Sequence, residues 1–379
     1  MLAVTGFAVA RRMAILLLPV MGIVACGSPI EGDKSTLTSQ PESIWANGGA
    51  LLPAGHRTVL VADGSGWILS MPFVDDALQL AKISASDGSL LKSTTIDGAV
   101  HGYAGAGLAA DAGSHLWITY AREIVRFDEL TGTLLTWSVP TVLPRLPTDN
   151  PLAGSVLADG WYAPSKRLLF IRNDDQRLYS FDPATAAFAV ASDLPITTSP
   201  ISMIAIGPTG EVAVTGSIAG AADFTPAAAR LASLSAAPQV SSDVEAVCSR
   251  SSGLTYLRSN GSLASDDNTI MATIPAPLTT QVPFTCDPGD NLFEAIVGGG
   301  TISVLRLSQS RVLEARTDAL IPIVVHGLGG PVNTYANPGV VALMPDLAGG
   351  VWVISEAGIN TSTNAGSAYP TLAHAKFTT

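Results

Sequence analysis

The stretch from Gly107 to Pro140 constrains the fold of this chain more than any other, because short apolar runs alternate there with turn residues. We predict four strands in it, separated by an Asp-Ala-Gly-Ser turn and a second turn that ends at Gly132. The predicted strands cover residues 108–110, 115–120, 124–127 and 133–139. Four strands in so short a stretch leave no room for a helix. Strands this short cannot bury their faces unless similar units pack beside them. The unit should therefore recur along the chain.

The second strand of this unit, a Gly-containing turn followed by an apolar or aromatic run, does recur. The copies align on one position, which is occupied by Trp67, Trp117, Phe170, Ala213, Tyr256, Phe293 and Trp352. Their spacing averages about 48 residues, which is typical of a four-stranded repeat. The chain is therefore predicted to be all-β and to contain seven such units, with six to eight compatible with the sequence.

One of these copies, GLAADAGSHLWI, resembles the inner strands of NHL-type and virginiamycin B lyase-like β-propellers, through Gly107, Leu108, Ala109, Asp111, Gly113, Leu116 and Trp117. The resemblance implies a seven-bladed β-propeller of four-stranded antiparallel blades over residues 43–379. It implies a fold and no particular reaction. An outer-membrane barrel is the competing fold, but 25 prolines and only 6% aromatic residues argue against it.

The end of the chain predicts how such a ring closes. After Trp352, only one further strand-like run, Leu372 to Phe377, precedes the C-terminus, so the last blade is one strand short. An apolar run from Ile44 to Leu52 precedes the first blade and could complete it. We therefore expect an N-terminal strand to close the ring.

The N-terminus is typical of a secretory signal, because Arg11 and Arg12 precede the apolar run from Ala14 to Ala25. The sequence Ile-Val-Ala-Cys that ends at Cys26 resembles the lipobox of bacterial lipoproteins. This resemblance implies removal of residues 1–25 and acylation of Cys26, for example with palmitate. An ordinary signal peptide or an uncleaved anchor is the alternative, although the run is short for a membrane span. We expect a bacterial envelope protein, on the periplasmic face of the outer membrane or the outer face of the plasma membrane.

The segment after the lipobox predicts how the domain is attached to the membrane, and the net charge indicates which partners it can bind. Residues 26–42 are polar and aperiodic, which predicts a flexible tether, and residues 43–379 form the predicted propeller domain. The full chain has a formal charge of −11, and removal of residues 1–25 makes it two units more negative. Nucleic acid is therefore a poor partner. The expected partners are the membrane, through the anchor, and an envelope protein or small molecule bound by a monomer.

Two cysteines other than the lipidation site, Cys248 and Cys286, each precede the Gly-containing turn of their unit. Equivalent positions in consecutive blades can lie close together, and a disulfide would suit an oxidising compartment. The alternative is two buried thiols held too far apart to bond.

A candidate ligand face is predicted from two connections that lead into inner strands. They contain His101, Tyr103, His326, Tyr335 and Asn337, which would lie at the channel mouth if the ring forms. The alternative is ordinary polarity of exposed loops.

No catalytic residue, metal site or cofactor is predicted. The run Gly105–Ala110 satisfies a loose dinucleotide fingerprint, but a strand rather than a helix should follow it. His326–Gly330 lacks the Gly-x-Ser-x-Gly partner of an esterase, and the pairs Asp75–Asp76 and Asp174–Asp175 are compatible with solvated loops. The sequence favours a binding or scaffolding module over the alternative, a virginiamycin B lyase-like or lactonase-like enzyme that acts at the channel mouth.

Overall fold

A computed structural model describes part of the chain. The described residues are 37–39, 57–60, 65–70, 78–86, 89–96, 106–113, 115–120, 123–139, 156–172, 177–198, 202–218, 225–274, 284–287, 289–298, 301–308, 313–319, 339–346, 348–359, 367–375 and 377. They form short strands and a single turn of 3-10 helix, Ala163–Ser165.

The strands of the first half pair into antiparallel sheets, which we number in chain order. Strand β1 is Leu37–Ser39. Sheet 1 contains β2 (Arg57–Leu60), β3 (Ser65–Ser70), β4 (Leu78–Ser84) and β5 (Leu90–Ile96). Sheet 2 contains β6 (Ala106–Ala110), β7 (His115–Tyr120), β8 (Glu123–Asp128) and β9 (Leu134–Ser138). Sheet 3 contains β10 (Val156–Tyr162), β11 (Arg167–Arg172), β12 (Arg177–Asp182) and β13 (Ala187–Asp193).

The second half continues the same pattern. Sheet 4 contains β14 (Ile196–Thr197), β15 (Ile204–Ile206), β16 (Val212–Ile218), β17 (Pro226–Leu231) and β18 (Gln239–Ser242). Sheet 5 contains β19 (Val244–Arg250), β20 (Gly253–Arg258), β21 (Ser262–Ser265) and β22 (Ile270–Thr273). Sheet 6 contains β23 (Phe284–Cys286), β24 (Leu292–Gly298), β25 (Thr301–Leu307) and β26 (Leu313–Ala319). Sheet 7 contains β27 (Gly339–Pro345), β28 (Val351–Ile359) and β29 (Ser367–Ala375), with β1 added beyond β29.

The first strands of successive sheets contact one another in cyclic order, and we call them the inner strands. The contacts run from β2 to β6, β10, β15, β19, β23 and β27, and β27 contacts β2 again. Each sheet has two flanks that a neighbour must cover, and a cyclic arrangement covers both flanks of every sheet. The antiparallel all-β fold expected from the sequence is confirmed.

The core lies between neighbouring sheets. The position used to align the sequence repeats falls in the second strand of every sheet except the fourth, where the short β14 precedes the inner strand and Ala213 lies in β16. Trp67, Trp117, Phe170, Ala213, Phe293 and Trp352 are essentially inaccessible to solvent, and Tyr256 is buried as well. Burying a large aromatic side chain contributes about 2 to 3 kcal/mol. The repeat motif is therefore a core-packing motif.

Polar bonds also join neighbouring sheets around the ring. Thr119 Oγ1 of sheet 2 donates to Asp159 Oδ2 of sheet 3 over 2.8 Å, and Tyr162 of sheet 3 donates to the Gly210 carbonyl of sheet 4. Sheet 7 meets sheet 1 through Trp352 Nε1, which donates to the Ala85 carbonyl over 2.7 Å. Residues far apart in the sequence are thus joined where the last sheet meets the first.

The N-terminal closing strand was predicted at Ile44–Leu52, a segment outside the described residues. The strand that pairs with the edge of β29 is β1, with Leu37 opposite Ala375 and Ser39 opposite Ala373. It lies upstream of the predicted segment and inside the range 26–42 that the sequence assigns to a tether.

Candidate functional site

The predicted ligand-face residues lie outside the described part of the chain. His101 and Tyr103 belong to the connection between β5 and β6, and His326, Tyr335 and Asn337 belong to the connection between β26 and β27. Cys26 and the acidic pairs at 75–76 and 174–175 also lie outside it. Their proposed roles stay predictions.

Cys248 and Cys286 are joined by a disulfide. Cys248 lies on β19 and Cys286 on β23, so the bond links the inner strands of sheets 5 and 6. The Cα atoms are 5.8 Å apart, a separation that a disulfide spans readily. The bond closes a loop between residues 38 positions apart, which restricts the unfolded chain.

The turn between β6 and β7 shows why the repeat begins with aspartate. Asp111 Oδ1 accepts hydrogen bonds from the backbone amides of Gly113 and His115, and Oδ2 accepts one from Trp117 Nε1 over 3.0 Å. Burial raises the pKa of Asp111, but these hydrogen bonds outweigh burial and hold the pKa below its usual value. The carboxylate therefore fixes the turn and the core tryptophan together.

The same turn recurs in sheets 6 and 7. Asp287 Oδ1 accepts the amide of Asn291 over 2.8 Å, and Asp346 Oδ1 accepts the amide of Gly350 over 2.7 Å. Each of these aspartates also donates its own backbone amide to the carbonyl of the residue four positions later, as Asp111 does. These turn carboxylates are buried or half-buried, and their hydrogen bonds to backbone amides hold the turns.

Sheet 4 builds the same turn with the carboxylate moved. Gly207 occupies the aspartate position, and Glu211, four residues later, bonds the amide and hydroxyl of Thr209 instead. A Cβ at Gly207 would lie 2.0 Å from Glu211 Oε1, so glycine is required for the glutamate to reach back. Two different sequences thus satisfy one backbone geometry.

The loose dinucleotide fingerprint has a different explanation in the structure. Ala106–Ala110 form strand β6, as the sequence predicted, so no helix N-terminus is available there for a pyrophosphate. A Cβ at Gly107 would lie 2.3 Å from the carboxyl carbon of Asp159. Glycine at this position admits the Asp159 side chain from the neighbouring sheet.

One carboxyl group in the described region is buried without a hydrogen bond. Glu294, on β24, is 2% exposed, and neither of its carboxyl oxygens has a hydrogen-bond partner. Burial raises the pKa of Glu294 to about 8, with a further contribution from the negative charge of Glu245. Glu245 is half-buried on β19, and its Oε2 atom is also buried without a partner. Sheets 5 and 6 therefore each contain a carboxyl group with a buried oxygen that has no hydrogen-bond partner.

Glu294 also lines a small apolar cavity between these sheets. The remaining lining consists of Leu263, Ile274, Phe284, Leu292, Phe293, Leu305 and Leu307. Sequence reasoning missed this pair, although a signal was present: Glu294 interrupts the apolar strand sequence Leu-Phe-Glu-Ala-Ile-Val. Charged residues are rarely buried unless they are paired or bind a ligand, which makes such an interruption informative.

The comparisons with known proteins bear on the fold. No family model and no curated protein matches this sequence. The chain is similar in structure to hydrazine synthase of Kuenenia stuttgartiensis, with a TM-score of 0.52 and 11% identity over 84% of this chain and 95% of that one. It is similar to U3-55K, with a TM-score of 0.53 and 9% identity over 88% and 98% of the two chains. The Dos1 propeller gives a TM-score of 0.49 with 12% identity over 82% and 77%.

Antiparallel sheets of four or five strands, arranged so that their inner strands follow one another in a cycle, decide the architecture. The fold is a β-propeller. At these identities the likeness extends to the fold alone, and the function must be argued from the site. In the described part of this propeller, no helix is long and apolar enough to span a membrane.

Proposed function

We propose that the protein is a lipid-anchored β-propeller of the bacterial cell envelope that acts as a binding or scaffolding module. Acylated Cys26 attaches it to the membrane, and seven blades form the ring. The pairing of β1 with β29 supports closure by an N-terminal strand. The disulfide between Cys248 and Cys286 supports an oxidising compartment outside the cytoplasm.

The binding role rests on one observation: the turn aspartates bond to the backbone of their own turns, so that end of the sheets is not the expected ligand surface. Asp111, Asp287 and Asp346 lie at one end of their sheets, and each carboxylate holds its own turn by hydrogen bonds to backbone amides. The ligand surface would then be the opposite end of the sheets, where each outermost strand connects to the next inner strand. Propellers present variable connections on a rigid ring, which suits recognition.

The anchor is tested with Cys26→Ser. We expect loss of radioactive palmitate incorporation and release of the protein from the membrane fraction, with an unchanged melting temperature. Palmitate labelling that persists in the variant would refute lipidation at Cys26.

The ligand face is tested with His101→Ala and His326→Ala in a pull-down from solubilised envelopes. Each variant should retain less partner than the wild type, while Asp193→Asn, which changes an exposed carboxylate on β13, should retain as much. Stability should change by less than about 1 kcal/mol, as is usual for exposed loop positions. Equal retention by all variants would argue against this face.

A further inference from the structure

Exposed apolar side chains are concentrated on two neighbouring sheets. Eight large apolar side chains in the described part of the chain are exposed, and five of them are leucines of sheets 1 and 2. Sheets 3, 4 and 5 contribute one each, Val190, Val240 and Ile270. We call the leucines the leucine patch, which consists of Leu90 and Leu91 of β5, Leu130 of the β8–β9 turn, and Leu134 and Leu135 of β9. Single exposed apolar residues need no explanation, whereas such a cluster marks an interaction surface.

The two halves of the leucine patch belong to one surface. Lys92, which follows Leu91 on β5, donates from Nζ to the Glu129 carbonyl over 3.0 Å, and Glu129 directly precedes Leu130. Lys82 forms an ion pair with the Glu129 carboxylate. These contacts join the start of β5 to the β8–β9 turn across the boundary between sheets 1 and 2.

The turn between β8 and β9 holds Leu130 away from the core. Asp128 Oδ1 accepts hydrogen bonds from the amides of Leu130 and Thr131, over 2.9 and 3.1 Å. The Gly132 amide donates to the Asp128 carbonyl over 2.8 Å, and Gly132 has a φ of 71°, a conformation that favours glycine. These bonds fix the turn, yet its leucine is 93% exposed. Leu130 therefore contributes nothing to core packing and is available to a partner.

The leucine patch lies at the end of the sheets that contains the acidic turns, which we call the turn end. In sheet 2, the antiparallel strands β7 and β8 separate the Asp111 turn from the β8–β9 turn, so both turns lie at the same end. By the same count, β5 begins at this end of sheet 1. The contacts of Glu129 with both lysines, and the bond from Trp352 to Ala85, show that sheets 7, 1 and 2 have their turn ends on the same side of the ring.

The N-terminal strand also begins at the turn end. Leu37, the first residue of β1, pairs with Ala375, and Ala375 pairs with Val351, which follows the Asp346 turn. Sheet 7, which β1 completes, is the neighbour of sheet 1. Leu37 is eleven positions after Cys26, and a random coil of that length spans about 17 to 20 Å on average. A lipid attached at Cys26 would therefore keep the turn end, rather than the opposite end, near the bilayer.

We propose that the leucine patch is a docking surface for a phospholipid bilayer and holds the turn end of the ring against the membrane. This proposal rests on the lipid anchor at Cys26 proposed above. Apolar side chains suit this partner, because a chain with a formal charge of −11 gains little from attraction to anionic lipids. A patch of a few leucines is sufficient, since the anchor raises its effective concentration at the bilayer. The opposite end of the sheets, where the ligand face is proposed, then points away from the membrane.

Site-specific photocrosslinking in vesicles tests this orientation. The photoreactive amino acid benzoylphenylalanine replaces Leu130 or, as the matched control, Ser138, which is exposed at the far end of β9. The full protein, purified from the envelope, is reconstituted into vesicles of phosphatidylcholine that contains radioactive phosphorus, and is then irradiated. The probe in place of Leu130 should attach at least about tenfold more phospholipid than the probe in place of Ser138, because only the turn end contacts the bilayer.

Loss of other leucines from the patch should weaken the contact. With the probe in place of Leu130, the double variant Leu91→Ser, Leu134→Ser should lower lipid crosslinking at least about threefold, because it removes apolar surface from the patch. Val240→Ser is the control, since Val240 is a similarly exposed apolar residue on sheet 4, and crosslinking should stay unchanged. Melting temperatures should be equal in all variants, because these side chains are exposed. An equal loss of crosslinking in Val240→Ser would overturn the assignment to the leucine patch.

The outcomes distinguish this proposal from the anchor itself. Equal crosslinking at the two probe positions, or none at Leu130 in protein that floats with the vesicles, would overturn the docking surface and leave the anchor intact. A crosslink at Leu130 between two copies of the chain, in place of lipid, would overturn it in favour of a dimer. A Cys26→Ser variant that still floats and is crosslinked at Leu130 would refute the anchor and support the docking surface. A wild type that does not float would overturn both.

Discussion

Sheets 2 and 3 meet through aromatic rings, whereas sheets 5 and 6 meet through aliphatic side chains and a disulfide. In the first interface, Trp117 stacks with both Trp137 and Trp161, with ring centroids 5.8 and 5.3 Å away, and Phe181 packs edge-on against it. In the second, Phe284 belongs to one buried cluster with five leucines, Leu257, Leu263, Leu292, Leu305 and Leu307. The same strand pairing therefore carries two different kinds of core.

The polar groups of the two interfaces differ as well. The indole nitrogen of Trp117 is bonded to Asp111, so the large aromatic core leaves its polar atom satisfied. Glu294 has no such bond. The first interface buries a large aromatic area without a covalent link. The second combines a disulfide with a buried carboxyl group that has no hydrogen-bond partner. The comparison predicts that the two interfaces will respond to different perturbations.

The largest effect is expected for Trp117→Ala. Removing a fully buried indole leaves a cavity between sheets 2 and 3 and should cost about 3 to 5 kcal/mol of unfolding free energy. Trp137→Ala provides the control. Because Trp137 is only partly buried, this substitution should lower the free energy of unfolding by less. Urea unfolding monitored by circular dichroism measures both. Equal losses would mean that stacking on Trp117 is not what holds this interface.

The double variant Cys248→Ser, Cys286→Ser should lose about 3 kcal/mol, because the loop closed by the disulfide gains freedom in the unfolded chain. Reduction of the wild type with dithiothreitol should give a similar loss. Hydrogen exchange should then accelerate in β19 and β23, while β6 and β10 stay protected. Faster exchange in all four strands would show that the two interfaces unfold as one unit.

Glu294→Gln should make the protein more stable at alkaline pH. The carboxyl has a pKa near 4.5 in the unfolded chain and about 8 in the folded one, so the folded state holds the extra proton between these values. Stability should therefore fall as pH rises from 4.5 to 8 and then level off. At pH 9 the free energy of unfolding of the variant should exceed that of the wild type by about 2 kcal/mol or more, with little difference at pH 4. Parallel pH profiles of the two proteins would contradict the burial of a protonated acid.

The smallest effect is expected for Lys166→Gly in the sheet 3 turn. Lys166 has a φ of 52°, a left-handed conformation that costs a non-glycine residue about 1 kcal/mol. Glycine already occupies the corresponding position in sheets 4 and 7, at Gly210 and Gly349. The free energy of unfolding of the variant, measured in urea, should rise by up to about 1 kcal/mol. The extra conformational freedom that glycine gives the unfolded chain reduces this gain. A loss of stability would show that the lysine side chain contributes more than its backbone conformation costs.

Strand positions were predictable because alternation and turns are local properties. The predicted strand 115–120 matches β7, and the predicted strands at 124–127 and 133–139 match β8 and β9 to within one residue at each end. The turn motif at Asp111 was also visible, since each of its bonds spans only a few residues.

Contacts between sheets were much harder to predict. Glu245 and Glu294 belong to different sheets, and no local sequence pattern fixes how far apart strands of different sheets lie. The Gly-containing turn of sheet 4 was recognised from the sequence, but the exchange of carboxylate position at Gly207 and Glu211 was not, because what is retained there is a hydrogen-bond geometry rather than a sequence. The strand β14 was missed because two residues carry too little pattern to be recognised.

The bond from Trp352 to Ala85 joins residues 267 positions apart, and this has a consequence for how the molecule is made. A ribosome releases the chain from its N-terminus, so sheets 1 to 6 are complete before β28 and β29 exist. Until then, sheet 1 lacks the neighbour that covers its outward flank, and β1 has no strand to pair with. Strands β28 and β29 therefore decide whether the ring closes or keeps an exposed sheet edge, so truncation before β28 should yield aggregates rather than shorter functional proteins.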